Sequence, residues 1–596
     1  MTTEFLPAAL QAPAAPAAAA LRPSWVERRF HWCAAGLLVA MAAAQFASAT
    51  LESQTVDESY HLTAGYAFLT SRTLNTGTEH PPLAQAICAL PLLFLHLPAP
   101  GPADVDYRSE LKREAKLLYG NSVSADAILL AARSSQIVLT LFLGLLIAWW
   151  TRRHFGSAPA LAALALFAFD PNFLAHGHYV TNDVPAALAF LAGCLSWNAY
   201  LAGGRRSRLV FCGVVLGLAV SAKYSTLLLF PAFAYLYGCR WWHQSHAAGL
   251  QPFRYSLRHL TRSMLAAALV MMVVVWAAFG FETAPLLPPG PLSGPGPAIW
   301  AGFQGPLGWA VRNLPLPAPS FLNGVLALFW HNNSAGHSAY LLGQHSQSGW
   351  WYYFPVLAAV KTPAGTLLLF LLAAGAAGML LWRGGSLAAR ARLKRLRPEW
   401  YAIAVPALLY LAACLRGHIN IGIRHLLPFY PFLFIWIAAV LFSSRRRPLP
   451  AFFRHASLVC LALVAVESAA AFPRYLAFFN LPSGGRSHGW KYAVDSNLDW
   501  GQDLKRLKTY VSTHGIDKVC FRGMGNIPAA YYGIPAVPLP SSLEAARASG
   551  CVVAASITLV IEWRAFAPSC RWLADLHPTD VVGDSYWIYD FRRPQP

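Results

Sequence analysis

Eleven runs of apolar residues restrict the fold of this chain more than any other feature of its sequence. A transmembrane helix needs about 20 mostly apolar residues, and most of the runs reach or approach that length. The runs fall near residues 31–50, 126–150, 158–173, 179–202, 209–221, 224–239, 263–281, 356–382, 400–415, 426–442 and 456–472, of which the fifth and ninth are short. They predict a polytopic α-helical membrane protein with about 11 transmembrane helices.

The composition excludes a soluble globular protein and a disordered one. Of the 596 residues, 56% are apolar and only 12% are charged, which is too little charge to cover a soluble surface. The 13% of aromatic residues is the opposite of a disordered composition. The net charge of +20 comes from basic clusters in short connections between apolar runs, so binding of nucleic acid is not predicted.

The basic clusters fall in alternate connections, as the excess of Lys and Arg in cytoplasmic loops requires. The clusters are Arg28-Arg29, Arg152-Arg153, Arg205-Arg206, Arg240 to Arg262, Arg383 to Arg397 and Arg445 to Arg447. We therefore expect a cytoplasmic N-terminus and an extracytoplasmic C-terminus. Segments 51–125, 282–355 and 473–596 then share the outer side of the membrane.

Three domains are expected from these patterns. Residues 1–30 form an Ala- and Pro-rich cytoplasmic tail of disordered composition. Residues 31–472 form the transmembrane domain, with outer loops at about 51–125 and 282–355. Residues 473–596 alternate strand-like runs with one helical stretch, which predicts a small extracytoplasmic α/β domain.

The first apolar run has a second interpretation. It follows Arg28-Arg29 and ends in Ala47-Ser48-Ala49, a pattern also found in cleavable signal peptides. The basic residues come late, however, after the Ala- and Pro-rich tail. A signal anchor that remains as the first span fits this order better.

The C-terminal segment carries two finer expectations. The strand-like runs are Lys518 to Phe521, Val552 to Ile561 and Tyr586 to Phe591, and the helix covers Gln502 to Thr513. An oxidising outer compartment permits a disulfide among Cys520, Cys551 and Cys570. Three thiols leave one odd, and the sequence does not choose the pair. Our hypothesis is a bond between Cys551 and Cys570.

Carboxylates appear directly after the first span. Thr55 and Glu58 have the spacing of a capping box, so a helix should begin here with Asp57 in its first turn. Asp57 and His61 then share one helix face. Glu58 is a helix cap or a catalytic residue, and both interpretations stay open. Asp57 places a carboxylate at the membrane surface beside apolar residues, where an isolated charge is usually functional.

Cations on the outer side form a second group of candidates. Lys223, Arg416 and Arg424 lie in short outer connections, where the positive-inside rule disfavours Lys and Arg. We expect Lys223 and Arg424 to bind an anion. Asp183, at the outer end of the fourth predicted span, supplies a further carboxylate.

These groups together suit the transfer of a sugar from a lipid phosphate. A phosphate leaving group needs charge neutralisation by Lys or Arg more than it needs an acid. The acceptor hydroxyl needs a carboxylate as base. A nucleotide-sugar donor is disfavoured, because the site faces away from the cytoplasm and the sequence has no Gly-rich phosphate loop.

The same residues resemble a known family. Three features carry the resemblance: Asp57-Glu58 after the first span, His80-Pro81-Pro82-Leu83 in the same loop, and eleven spans with a long first outer loop. They are similar to features of GT-C glycosyltransferases of the protein O-mannosyltransferase and aminoarabinose transferase type, which are family 39-like. The resemblance covers roughly the first 470 residues. It implies a multi-pass enzyme of a bacterial inner (plasma) membrane, a polyprenyl-phosphate sugar donor, and Asp57 as the catalytic acidic residue.

The resemblance leaves the acceptor open. The loop at 282–355 has no large β-trefoil insert of the kind that eukaryotic protein mannosyltransferases carry. The acceptor is therefore a lipid, a glycan or a protein. The stretches 336–343 and 495–503 are similar to stretches that recur in uncharacterised bacterial relatives.

The predicted function is that of an inverting glycosyltransferase that uses Asp57 as base at an acceptor hydroxyl. The alternative is a polytopic transporter or flippase of a glycan or lipid intermediate, which would place charges at the membrane midplane and show two related halves. The catalytic candidates are Asp57, Glu58 and Asp183, and the candidates for binding the donor's phosphate and sugar are His80, Lys223, Tyr340, Arg424 and His425.

No cofactor is expected to be required. A divalent cation is conceivable from Asp57, His61, His176, His178 and Asp183, but no pair among them has diagnostic spacing such as that of the HExxH motif. No metal ligand is therefore assigned.

Overall fold

A computed structural model describes most of the chain. The described residues are 24–74, 80–101, 107–245, 256–287, 295–335, 337–382, 385, 397–443, 449–566 and 571–592. Most of the predicted tail at 1–30, Glu79 before the Pro pair, and Cys570 lie outside them.

Eight helices among the described residues are long and apolar enough to cross a membrane. They are Trp25–Leu51, Ala125–Phe155, Asp183–Gly203, Leu257–Ala278, Ala364–Trp382, Pro398–Arg416, Ile423–Leu441 and Ala451–Ala471. The predicted multi-pass helical fold is thereby confirmed.

The three remaining predicted runs hold shorter helices. They are Ser157–Ala168, Arg206–Ala222 and Leu229–Ser245. Each of the eleven runs thus contains a helix, while the count of eleven spans stays a prediction. Two of the shorter helices end at breaks within the apolar sequence: Lys223 follows the helix Arg206–Ala222, and Asp170 follows the helix Ser157–Ala168 and caps the next short helix.

The connections predicted to lie on the outer side, called here the outer connections, carry most of the other elements. Their helices are Val56–Ser71, Pro82–Ala89, Leu90–Leu95, Tyr107–Tyr119, Pro171–His176, Tyr224–Leu228, Pro295–Ala301, Gly305–Asn313, Pro319–Trp330, His331–Ala335 and Tyr353–Lys361. Their strands form two short antiparallel pairs, Thr283–Ala284 with Leu316–Pro317 and Ala339–Leu341 with Gln344–Ser346.

Residues after the last span contain a five-stranded sheet, as the predicted α/β pattern requires. Its strand order is Ala536–Pro538, Val519–Arg522, Val552–Ser556, Tyr586–Asp590 and Asp580–Val582. The first two pairings are parallel and the last two antiparallel. The helices are Leu481–Ser483, Arg486–Lys491, Asp495–Asn497, Leu504–Thr513, Ala529–Tyr532, Leu543–Ser549, Ile557–Phe566 and Arg571–Ala574. The central strand is buried along its whole length, which matches its apolar sequence.

Two expectations for this region are wrong. The strand-like run at 552–561 changes to a helix at Ile557, because the Ser556 hydroxyl accepts a hydrogen bond from Leu559 N at 3.3 Å and caps a new helix. The disulfide joins Cys520 to Cys551. Parallel pairing of Val519–Arg522 with Val552–Ser556 brings these two cysteines to a Cα–Cα distance of 6.0 Å, a neighbourhood that sequence spacing does not reveal.

The sheet region is joined to the outer end of the first span by main-chain hydrogen bonds. Ser53 N donates to Gln502 O, and Val56 N donates to Trp500 O, both at 2.9 Å. The Ser53 hydroxyl also donates to Gly501 O at 2.9 Å. The link between the first span and the helix Val56–Ser71, called here the Asp57 helix, is thus fixed by residues 500–502.

The Asp57 helix packs closely on the helix Pro82–Ala89. A Cβ atom added at Gly65 would lie 2.2 Å from Gln85 O, so only glycine permits this approach of the two helices. The short separation brings the polar residues of the first outer loop together.

We expect Gly65→Ala to destabilise the protein by about 1 to 3 kcal/mol, the usual result of forcing an atom into a filled interface. Gly36→Ala is the matched control, because a Cβ atom at Gly36 meets nothing within 4 Å. The measurement is the temperature at which the detergent-solubilised full-length protein loses its monodisperse peak. Equal loss for both variants would contradict the close helix contact.

Candidate active site

Asp57 occupies the first turn of its helix, as predicted. Thr55 N donates to Glu58 Oε2 at 2.8 Å, which starts the helix one residue before Asp57. The Asp57 side chain is 28% exposed, and its Oδ2 accepts a hydrogen bond from Arg424 Nη1 at 2.8 Å. The structure therefore joins two residues that lie far apart in the sequence.

The ion pair belongs to a network of alternating charges. Arg424 Nη1 also lies 3.7 Å from Asp183 Oδ2, and Lys223 donates a hydrogen bond to Asp183 Oδ1. We call Asp57, Arg424, Asp183 and Lys223 the charge network. Four of the predicted site residues thus lie together, with two carboxylates and two cations.

Local backbone structure presents the two cations. Lys223 follows the last residue of the helix Arg206–Ala222 and has an extended backbone, which turns its side chain out of the helix. Arg424 is the second residue of the 3₁₀ helix Ile423–Phe429. The start of that helix is fixed by Ile423 N, which donates to Asn497 Oδ1 at 2.9 Å.

The guanidinium of Arg424 retains a donor for a ligand. Arg424 Nη1 makes both carboxylate contacts, while Nε is buried and has no hydrogen-bond partner among the described residues. A buried donor without a partner is energetically unfavourable, so such an atom points to an acceptor that binds there.

The electrostatics keep Asp57 ionised. Burial is the largest single influence and raises the pKa of its carboxyl, but the charge and hydrogen bond of Arg424, together with the nearby His61 and His80, hold the net pKa below the ordinary value. His61 lies one turn away on the same helix, and burial lowers its pKa to about 4, so this imidazole is neutral at neutral pH.

Histidines from the first outer loop lie beside the network. His61 Nδ1 lies 3.1 Å from Gln85 Nε2, and the rings of His61 and His80 have centroids 5.0 Å apart. Pro81, which follows His80, has an extended backbone and caps the helix Pro82–Ala89. His80 is thereby held next to the Asp57 helix.

Glu58 has a different environment from Asp57. Its side chain is completely buried and receives two hydrogen bonds from Arg133, at 2.8 Å from Nε and 2.7 Å from Nη2. Val180 N donates to the same carboxylate at 3.2 Å. This geometry favours the cap interpretation of Glu58 over a catalytic one.

His425 and Tyr340 are the remaining predicted site residues. His425 follows Arg424, and its Nε2 is buried without a hydrogen-bond partner among the described residues. Tyr340 lies on the strand Ala339–Leu341, with its ring 5.1 Å from that of His345. Tyr340 thus belongs to a different outer element from the charge network.

The histidines considered as metal ligands have other contacts. His178 Nε2 lies 2.9 Å from Glu52 Oε2 and Nδ1 lies 2.8 Å from Leu174 O. The His176 ring packs 6.0 Å from that of Trp500. Within the described residues, no three His, Cys, Asp or Glu side chains are grouped as a metal site.

Two residues at the site were not predicted. Arg133 lies within the second apolar run, where a buried cation is itself a signal of function. The Trp500 ring lies beside Arg424, with Arg424 Cζ over the ring and 4.4 Å from its centroid. Its only sequence signal was membership of the stretch 495–503.

Residues 122–276 match the family described as Dolichyl-phosphate-mannose-protein mannosyltransferase. The matched segment, about a quarter of the chain, holds Arg133, Asp183 and Lys223, while Asp57 and Arg424 lie outside it. This match agrees with the predicted membrane glycosyltransferase of the GT-C type. The match favours a glycosyltransferase over the alternative of a transporter or flippase.

The chain is also similar to solved structures. ArnT from Cupriavidus metallidurans bound to undecaprenyl phosphate has 14% identity and a TM-score of 0.44, with 95% of this chain and 99% of that chain covered. The oligosaccharyltransferase AglB from Archaeoglobus fulgidus, in complex with an inhibitory peptide and a dolichol-phosphate, has 13% identity and a TM-score of 0.45, with 90% and 70% covered. No curated protein matches.

Glu58→Gln should destabilise the protein by about 3 to 5 kcal/mol, because it leaves the buried Arg133 cation without its counter-charge. A helix cap alone would be worth about 1 kcal/mol. The control is Asp575→Asn, which removes an exposed i,i+4 pair with Arg571 and should cost less than about 1 kcal/mol. Thermal unfolding of the purified full-length variants measures both. Melting of Glu58→Gln at the temperature of the control would contradict a structural role for this carboxylate.

Proposed function

We propose that this glycosyltransferase moves a sugar from a polyprenyl-phosphate donor to an acceptor hydroxyl on the extracytoplasmic side of the membrane, with Asp57 as base. The observation that carries the proposal is the partly exposed Asp57 carboxylate, held 2.8 Å from Arg424 within the charge network. The description of the matched family names a dolichyl-phosphate-linked mannose, a donor of the same chemical class.

Arg424 and Lys223 bind the donor's phosphate in this proposal. The partnerless Arg424 Nε supplies a hydrogen bond to a phosphate oxygen, and the positive charge stabilises the departing phosphate. Lys223 contributes charge from the opposite side of Asp183. His80 and His425, next to these groups, are the candidates for contacts with the sugar, together with Tyr340.

Each bond change in the reaction has a group to support it. The acceptor oxygen attacks the anomeric carbon, and its proton passes to Asp57. The bond from the anomeric carbon to the phosphate oxygen breaks, and the electron pair leaves with the polyprenyl phosphate. One displacement inverts the anomeric configuration, since no second carboxylate acts as nucleophile.

The three carboxylates differ in their suitability as base. Glu58 is enclosed by Arg133 and is inaccessible to an acceptor. Asp183 is 2% exposed and lies between both cations. Asp57 is the most exposed of the three, so the acceptor hydroxyl reaches it most directly.

Asp57→Asn should lower turnover by about 10² to 10⁴, the usual contribution of a general base, and leave donor binding largely unchanged. Asp126→Asn is the control, because Asp126 is an outer-surface carboxylate that pairs with Lys505 at 2.9 Å. The assay uses the purified full-length protein, a synthetic lipid-phosphate sugar, and determination of the product's anomeric configuration by NMR. Retained configuration, or near-normal turnover of Asp57→Asn, would refute the mechanism and make Asp183 the next candidate base.

The orientation of the chain forms part of the proposal. The C-terminal sheet region contains the Cys520–Cys551 disulfide, which suits an oxidising compartment outside the cytoplasm. The same region contacts the link before the Asp57 helix, so the site and the sheet share one side. We place the N-terminus in the cytoplasm and the C-terminus outside, in a bacterial inner membrane.

Fusion of alkaline phosphatase after residue 596 should give an active enzyme, and fusion after Arg397 should not, because this reporter matures only outside the cytoplasm. Expression of both fusions is compared by immunoblotting. The reverse pattern would place the charge network on the cytoplasmic side and overturn the proposed donor.

A further inference from the structure

We propose that Trp500 is a positioning residue for sugar transfer, which holds Arg424 and Asp57 in the relative placement that the reaction needs. The inference rests on the proposed function and extends it to a residue that follows the last transmembrane span. Two different parts of Trp500, its ring and its carbonyl oxygen, contact the two sides of the Asp57–Arg424 pair.

The Trp500 ring holds the Arg424 guanidinium in place. Arg424 Cζ lies 4.4 Å from the centroid of the Trp500 ring, a separation at which a cation is attracted to the aromatic face. This contact uses no oxygen acceptor, so the N–H groups of the guanidinium remain donors for other partners. Nη1 then meets Asp57, and Nε stays available to a ligand.

The Trp500 carbonyl oxygen fixes the start of the Asp57 helix, which carries the proposed base. Trp500 O accepts a hydrogen bond from Val56 N at 2.9 Å, and Val56 directly precedes Asp57. The first turn of the Asp57 helix is therefore attached to the residue that stacks on Arg424. A shift of Trp500 would move both members of the ion pair.

Trp500 is itself rigidly placed. Its side chain is 1% exposed, and its backbone N donates to Gln502 Oε1 at 2.7 Å. The rings of His176 and Tyr179 lie 6.0 and 6.1 Å from the Trp500 ring. The indole thus has little freedom to change its orientation, which a positioning residue requires.

Neighbouring residues of the same stretch fix the backbone of the Arg424 loop. The Ser496 hydroxyl donates to Ile421 O at 2.7 Å, and Ile423 N donates to Asn497 Oδ1 at 2.9 Å. A Cβ atom at Gly422 would lie 2.2 Å from Ser496 Oγ, so the two segments are in close contact. Residues 496–500 therefore act as one docking segment, which explains why this stretch lies against the transmembrane domain.

The test compares Trp500→Leu, which keeps apolar bulk without an aromatic face, with Trp500→Phe, which keeps a smaller face. In full-length protein, Trp500→Leu should raise KM for the synthetic lipid-phosphate sugar about ten-fold, and Trp500→Phe should recover most of that loss. The control Trp490→Leu alters a tryptophan that packs on Trp587 and should leave KM unchanged.

A double-variant cycle separates positioning from general destabilisation. Binding of undecaprenyl phosphate is measured for wild type, Trp500→Leu, Arg424→Gln and the double variant in nanodiscs. Once Arg424 is replaced, Trp500→Leu should change the dissociation constant less than two-fold. Equal losses for Leu and Phe at position 500, or additive losses in the cycle, would overturn the proposal.

The same measurements distinguish a failure of the Trp500 role from a failure of the proposed function. If Asp57→Asn loses turnover while Trp500 and Arg424 act independently, the role of Trp500 is wrong and the proposed function stands. If Asp57→Asn keeps turnover, the proposed role of Asp57 as base fails, and the binding cycle still tests the coupling of Trp500 to Arg424. If Trp500→Leu fails to fold, Trp500→Phe takes its place in the cycle. In the wild-type background, Trp500→Phe should raise the dissociation constant of undecaprenyl phosphate about three-fold. In the Arg424→Gln background, it should leave that constant unchanged.

Discussion

The buried ion pair between Arg133 and Glu58 is the contact on which the outer face of this membrane protein depends. Both side chains are at most 1% exposed, so neither charge is stable without the other. Arg133 also donates to Ala49 O at 2.9 Å and to Ser53 O at 2.8 Å. One guanidinium from the helix Ala125–Phe155 thus fixes the end of the first span, the link after it, and the start of the Asp57 helix.

The link fixed by Arg133 is the same one that the C-terminal region contacts. Ser53 and Val56 donate to the carbonyls of Gln502 and Trp500, so Arg133 holds the link from within the membrane domain and residues 500–502 hold it from outside. The position of Asp57 follows from both contacts. This arrangement explains why a site built mainly on transmembrane helices needs residues that follow the last span.

Local signals in the sequence predicted the parts of the site, and long-range contacts decided how they meet. The cap at Glu58 and the outlying cations Lys223 and Arg424 were recognisable from neighbouring residues and from charge asymmetry. The Cys520–Cys551 bond was missed because it depends on which strands are adjacent. The contact of Trp500 with Arg424 was invisible for the same reason, since it joins segments separated by a complete transmembrane helix.

Adjacent carboxylates have opposite environments because successive residues of a helix point in directions about 100° apart. Glu58 points inward to Arg133, where full burial and two hydrogen bonds give its carboxylate a structural role. Asp57 points to the outer rim, where Arg424 keeps it ionised while part of its surface stays open. A donor phosphate bound at Arg424 Nε would place negative charge near Asp57. This charge would raise the pKa of the Asp57 carboxyl and make the carboxylate a stronger base. In the proposed mechanism, donor binding and activation of the base are coupled through this one guanidinium.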